Sequence, residues 1–323
     1  MNDISWKLVS FGQLSLLLEA SAPKPGNVNR GANFSDMYYR NFLTSASLIS
    51  RGLYFCASRG ADLGTGKISA EQVRLGELIE GCARDTLTGF NTRNTILGSI
   101  LLYVPLTVAI SSMLQQKKCF SAEILTQELS RIIESTSVQD AVWLYRTFEL
   151  TKPGGKKIKD EPEWTASHSR YDFDNPDVID NIMQDKISLG SLLKMSAQID
   201  EISSEWASDF RLTLTEILPY LTERSSGIDD IEEAIVSSYI WLLSKRPDGL
   251  IIKKAGRKKA EEIQEMARQV VNLWEENEAT SALVRQLDEK LRKQGNLLNP
   301  GTTADLVSAA TFCRLVSMNY PEF

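Results

Sequence analysis

Apolar positions recur at helical spacing almost from one end of this chain to the other. Ile4, Leu8, Phe11, Leu14 and Leu18 step by 4, 3, 3 and 4, one face of a helix that stops at Ala22-Pro23. Phe42, Leu43, Ala46, Leu48, Ile49 and Leu53 predict a second helix over about 37–58, and the glycines that follow predict a loop over 59–67. A third helix carries Val73, Leu75, Leu78, Ile79 and Cys82, and a strongly apolar one begins near Ile96. Helices are expected near 121–135 and 138–150. Leu192, Met195, Ile199, Ile202, Trp206 and Phe210 step by 3, 4, 3, 4 and 4, which predicts one long amphipathic helix with its Met and aromatic stripe in the core. Residues 230–244, the run from Ala260 to Trp274, the series Leu283, Leu287 and Leu291, and a final stretch with Leu306, Ala309, Cys313 and Val316 complete the pattern. No alternating strand pattern interrupts it. The expectation is an all-α chain in which residues 1–323 make one multi-helix globular domain, with polar loops at helix ends forming the site.

Three polar clusters break the periodicity. The first is Pro23-Lys24-Pro25-Gly26-Asn27-Val28-Asn29-Arg30-Gly31 with Phe34 and Asp36, preceded by Glu19 in a helix's last turn. Two prolines and two glycines forbid a continued helix, and an acid at a helix C-terminus is unfavourable with the dipole. The second, Asn91-Thr92-Arg93-Asn94-Thr95, stands directly before the apolar helix, where one capping residue would suffice. The third is Asn299-Pro300-Gly301-Thr302-Thr303-Ala304-Asp305, in which Thr302 and Asp305 have capping-box spacing. Basic groups and amides on stiff loops at helix ends suit an anionic ligand. Turns and caps are the other reading of each cluster. Residues 151–177, with Pro153-Gly154-Gly155 and the lysines 152, 156, 157 and 159, are either an active-site lid or a surface excursion. Residues 245–254 read as a turn with flanking positive charge.

Composition narrows the chemistry. The 323 residues are 42% hydrophobic and 24% charged, ordinary for a soluble globular protein. The net charge of −6 provides no basic field for sequence-independent nucleic-acid binding. Cys56, Cys82, Cys119 and Cys313 make no CxxC pair, which argues against zinc and fits a reducing cytoplasm. His168 is the sole histidine, so no site with two histidine ligands exists. The apolar run 96–110 is shorter than the roughly 18–20 residues a membrane span needs, so a buried helix is expected and no membrane partner.

The three clusters together resemble the triphosphoribosyl-dephospho-coenzyme A synthase family. The likeness is carried by Glu19 through Arg30 with Phe34 and Asp36, by Asn91 through Gly98, and by Asn299 through Leu306. Arg246 to Ile251 and Ala255 to Ala260 resemble a further stretch of archaeal members. Bacterial members have His-Lys where this chain has Arg93-Asn94. The resemblance implies an all-helical, ATP-dependent transferase. It joins the triphosphoribosyl group of ATP to the 2′-hydroxyl of 3′-dephospho-CoA and releases adenine, the product being a prosthetic-group precursor. Related transfer to a different acceptor, or nucleotide binding without catalysis, are the alternatives.

Substitution at a ribose anomeric carbon passes through oxocarbenium-like charge and needs a base on the acceptor side. On that basis Asp36 is the preferred base or Mg²⁺ ligand, with Asp305 second in both roles and Glu19 third as base. Lys24 and Arg30 are assigned to phosphate contacts. Asn27, Asn29, Asn91, Thr92, Arg93, Asn94, Thr302 and Thr303 complete the substrate-binding set. Mg²⁺ is expected because a nucleotide triphosphate seldom binds without it.

Overall fold

The computed structural model describes residues 3–88, 91, 93–155, 157–225, 227–275 and 281–321. Among them there are helices and no named strand, as the periodicity predicts. The first half comprises α1 (Asp3–Ser21), α2 (Tyr39–Leu48), α3 (Ser50–Gly64), α4 (Leu75–Thr86), α5 (Leu97–Lys117), α6 (Ala122–Glu134) and α7 (Val138–Thr151). The second half comprises α8 (Ala166–Arg170), α9 (Val178–Asp185), α10 (Leu189–Ser196), α11 (Glu201–Ala207), α12 (Leu218–Arg224), α13 (Ile231–Lys245), α14 (Gly249–Ala255), α15 (Arg257–Glu275), α16 (Ser281–Arg292) and α17 (Gly301–Asn319). One continuous core joins the two halves.

The axis of that core is α5. It runs on past the apolar stretch to 21 residues, so by length and composition it could cross a membrane, contrary to the count made on 96–110. Its most apolar window is instead 94% buried by protein. An all-round apolar helix must be covered, and α1, α3, α4, α6 and α17 cover it. Pro105 sits inside α5 and removes one backbone donor, which frees the carbonyl of Leu101. That carbonyl accepts the indole N–H of Trp206 at 2.9 Å, pinning α11 against α5.

Three expectations are corrected. The loop over 59–67 is mostly helix, because Gly60 and Gly64 lie at the crossing with α5, not in a turn. A Cβ on either would overlap backbone of Val108 or Ser112. The chain turns only at Thr65-Gly66, where Gly66 has φ +73°. The long helix over 192–210 is two helices, since Asp200 breaks it by accepting Ser203 N–H at 2.9 Å as an N-cap. The apolar steps simply continue in phase across the break. Residues 245–254 are mainly α14, started by Asp248, which accepts Ile251 N–H at 3.0 Å.

The turn after α1 is clamped from outside. Asp288 of α16 accepts Gly26 N–H at 2.7 Å, Arg292 donates to Asn27 O at 2.6 Å, and Tyr239 donates to Pro25 O at 3.0 Å. Gly26 has φ +69°, and a Cβ there would run into Leu291. Gly26→Ala should therefore cost about 2–4 kcal/mol, from overpacking and left-handed strain together. Thermal or denaturant unfolding measures it; a stability unchanged from the parent would contradict the clamp.

Candidate active site

A cleft of about 780 Å³ opens where α1, α5 and α17 end against α7, the segment 152–174, α10 and α14. All three polar clusters reach it. Glu19, Asn27 and Asp36 come from the first, Arg93, Asn94 and Thr95 from the second, and Asn299, Thr302 and Asp305 from the third. Direct contacts tie them together. Asn27 Nδ2 donates to Asn299 Oδ1 at 2.9 Å, and Arg93 donates to the backbone carbonyl of Asp36. Asn94 Oδ1 accepts Leu97 N–H at 3.0 Å and so caps α5 at the cleft wall.

Asp305 is the cleft's most perturbed lining acid. Its carboxylate accepts Ser99 Oγ–H, and a Cβ on Gly98 would overlap its Oδ2. A larger residue at 98 would push the Asp305 carboxylate out of this position. Its pKa is pushed up to about 8, chiefly by burial. The Ser99 hydrogen bond opposes that shift, and the negative charges of Glu19 and Asp248 add to it. The capping-box expectation fails here. Thr302 makes no side-chain cap, and Asp305 turns away to Ser99. The cap comes from another helix: Asp248 Oδ2 accepts both Thr303 N–H and Thr303 Oγ–H at 2.8 Å.

Glu19 also lines the cleft, and its Oε1 stands 3.0 Å from Lys24 Nζ. Lys24 is fully buried and also donates to the carbonyls of Glu19 and Ala22. That corrects its assignment to phosphate: its charge is spent on Glu19 behind the wall. Arg30 is likewise displaced from the site, pairing at the surface with Glu232 at 3.0 Å. Asn29 braces its own turn by accepting Gly31 N–H at 2.9 Å. Asn91 is buried against Ser45 Oγ and Thr86 O, and Thr303 is held by Asp248. Thr92 lies outside the described residues. Asp36 is exposed at the rim, where Asn296 Nδ2 meets it at 3.3 Å.

Several lining residues were missed. Lys253 and Lys254 of α14 both face the cleft, Lys253 paired with Asp200 and Lys254 donating to Asn296 O at 3.0 Å. Burial works against ionisation of Asp200, but Lys253 and Ser203 outweigh it and hold the carboxyl below its usual value. Burial lowers the pKa of Lys254, against the opposing charges of Asp36 and Asp248. An available signal was Asp248-Gly249-Leu250, an N-cap before an apolar pair. Met195 and Ile199, assigned to the core from their stripe, line the cleft too. So do Lys152, Lys159 and the aromatic residues of 164–173, so the irregular segment is a wall of the site.

Beneath the cleft Glu201 accepts Gly249 N–H at 3.1 Å. Burial pushes its pKa up to about 8; the charges of Asp248 and Asp200 reinforce that, and the Gly249 bond and Arg246 oppose it. The folded value is above the ordinary 4.5, so this group's contribution to stability is fully present below pH 4.5. It is lost as pH rises to about 8. Glu201→Gln keeps an acceptor for Gly249 and removes the ionisation. Its melting temperature relative to the parent should rise between pH 5 and pH 9; a constant difference would contradict the shift.

Among the described residues no group of three or more His, Cys, Asp or Glu could hold a metal. Asp36 and Asp305, the two carboxylates expected as Mg²⁺ ligands, both line the cleft, and Asp305 already accepts Ser99 Oγ–H. Asp36, exposed at the rim, fits the single carboxylate that Mg²⁺ uses when substrate phosphates supply other oxygens.

A sequence model of the ATP:dephospho-CoA triphosphoribosyl transferase family matches residues 5–322. No curated protein matches the chain. A crystal structure from Archaeoglobus fulgidus, provisionally assigned as a triphosphoribosyl-dephospho-CoA synthase, superposes with a TM-score of 0.58 at 24% identity. The match covers 85% of this chain and 98% of that one, a likeness of fold.

Proposed function

Since this chain belongs to the ATP:dephospho-CoA triphosphoribosyl transferase family, an ATP-using transferase family, we propose that its cleft is the seat of transfer and that Asp305 and Glu19 are the catalytic carboxylates. The acceptor's 2′-hydroxyl attacks C1′ of the ATP ribose, and the bond from C1′ to the adenine nitrogen breaks. One proton must leave the hydroxyl and one must reach the departing purine. Two acids in different environments suit these two jobs. Glu19, ion-paired with Lys24, takes the hydroxyl proton. Asp305, neutral below about pH 8, gives its proton to the base. Glu19, negative until it takes the hydroxyl proton, and Asp305, which becomes negative as it gives its own up, also favour the positive charge that develops on the sugar.

The triphosphate is held by Lys254, Arg93 and the start of α17 at Gly301 and Thr302, all on the cleft wall. Asp36 would hold the Mg²⁺ that accompanies the phosphates and neutralises their charge. The first-ranked base of the sequence reading thus moves to the rim, and the third-ranked one moves to the floor. A cytoplasmic location is in keeping with four free cysteines.

The observation that carries this reading is the half-buried Asp305 carboxyl, held by Ser99 and seated over Gly98 in a cleft where all three clusters meet. The test is incubation of the protein with ATP, Mg²⁺ and dephospho-CoA while free adenine is followed. Adenine appearing only with the acceptor supports the reading. ADP or AMP in its place, or binding of ATP with no turnover, would overturn it.

A further inference from the structure

The cleft has two chemically different walls. The wall made by α1, α5, α17 and α14 carries the acids, amides and lysines discussed above. The opposite wall, made by α7, the segment 152–174 and α10, presents Tyr145, Phe148, Ile158, Trp164, Phe173 and Met195 to the cleft. Tyr145 and Phe148 meet edge to face with centroids 5.7 Å apart, and Phe148 and Phe173 meet the same way at 5.9 Å. Phe148, Trp164, Phe173 and Met195 are only half-buried. Their remaining apolar surface faces the cleft rather than the core.

This wall is held in place. Lys159 is paired with Asp172 and Asp174, which closes the segment on itself. Glu161 is paired with Arg257 at 3.0 Å, and Tyr145 donates to the carbonyl of Tyr171. His168 Nδ1 accepts Thr165 N–H at 2.9 Å, so the neutral ring carries its hydrogen on Nε2, which donates to Met195 O at 2.9 Å. An irregular excursion with this many ties is a built surface, not a passing loop.

A triphosphate and two riboses have no use for such a wall, and rings that meet edge to face at 69° and 85°, with Ile158 and Met195 among them, do not make the flat platform on which a purine base stacks. The acceptor does have a part that needs it. Its pantetheine arm is a long chain with a gem-dimethyl carbon, methylene groups and two amides, ending in a thiol. We propose that the aromatic wall binds this arm, while ATP lies along the polar wall. Methyl and methylene groups are removed from water against Phe148, Phe173 and Met195. Ser196 and Lys152, which line the same side, are within the cleft to meet the amides. The inference rests on the transfer reading above, because it takes dephospho-CoA as the second substrate.

The test uses the full chain, Phe173→Ala and, as a second variant on a different part of the wall, Trp164→Ala. Adenine release by the parent protein is the control that decides the transfer reading itself. With that control positive, each variant should raise the KM for dephospho-CoA about tenfold, the usual scale for truncating an aromatic contact. The KM for ATP should stay within about twofold. Inhibition by 4′-phosphopantetheine, which has the arm and no nucleoside, should weaken by the same factor as dephospho-CoA. A raised KM for ATP would mean that the wall stacks the ATP base and would overturn the assignment. So would an unchanged inhibition constant for 4′-phosphopantetheine in both variants.

Discussion

Asp305→Asn is expected to lower the rate of adenine release by about 10²–10⁴-fold, the usual worth of a general acid, with the fold retained. Asparagine has the shape of the carboxyl and still offers Ser99 an acceptor, so the approach over Gly98 is undisturbed. What it lacks is a proton to give. The pH profile separates this role from a structural one. An acid with a pKa of about 8 is in its working form below that pH, so the parent's kcat should be level towards pH 7 and fall about tenfold per unit above 8. The variant should lose that falling limb along with most of its rate. Persistence of the same limb in the variant, or a rate close to the parent's, would remove Asp305 from the reaction. The linkage sign gives a second readout. Asp305 contributes stability that is fully present below pH 3.8 and lost as pH rises to about 8, so asparagine should be relatively stabilising in alkaline solution.

What could be read from the chain beforehand divides along physical lines. Helices with a period and a legible cap, such as α7 behind Ser137, were recovered nearly to the residue. Errors arose where one residue type has two uses. Gly60 and Gly64 can end a helix or let two helices touch, and only the identity of α5 as the neighbour decides. Asp200 can sit on a helix surface or start a new helix, and the apolar steps through 192–210 run in phase either way. The site shows the same division. Polar clusters at three helix ends were visible, but not which side chains within them face inward. Glu19 and Lys24 are five positions apart on one turn, and the spacing cannot say that the acid faces the cleft and the base the interior. Asp305 carried a capping-box spacing that Asp248, distant in sequence, makes unnecessary. The aromatic wall was hidden because 164–173 has no period, and its meaning depends on α7 and α10 lying beside it.

Lys24→Met is expected to destabilise the protein by about 3–5 kcal/mol, more than any surface lysine substitution would. Lys24 Nζ has three partners, the Glu19 carboxylate and the carbonyls of Glu19 and Ala22, and no exposed surface. Methionine fills a similar volume but leaves Glu19 with a buried charge and no counter-ion, and a buried pair is most costly when one half is removed. On a chain of this length that loss should appear as a fall in melting temperature of roughly 4–8 °C. A phosphate-binding lysine behaves differently: its loss raises the KM for ATP and leaves the melting temperature nearly unchanged. The two outcomes are read from the same purified variant. If stability is lost first, adding Glu19→Gln in the same chain should restore much of it, because the stranded charge is then gone. The double variant should nevertheless remain nearly inactive, because the group that takes the acceptor's proton is missing. Recovery of stability without recovery of turnover would separate the two roles of this ion pair: Lys24 holds the turn, and Glu19 does the chemistry.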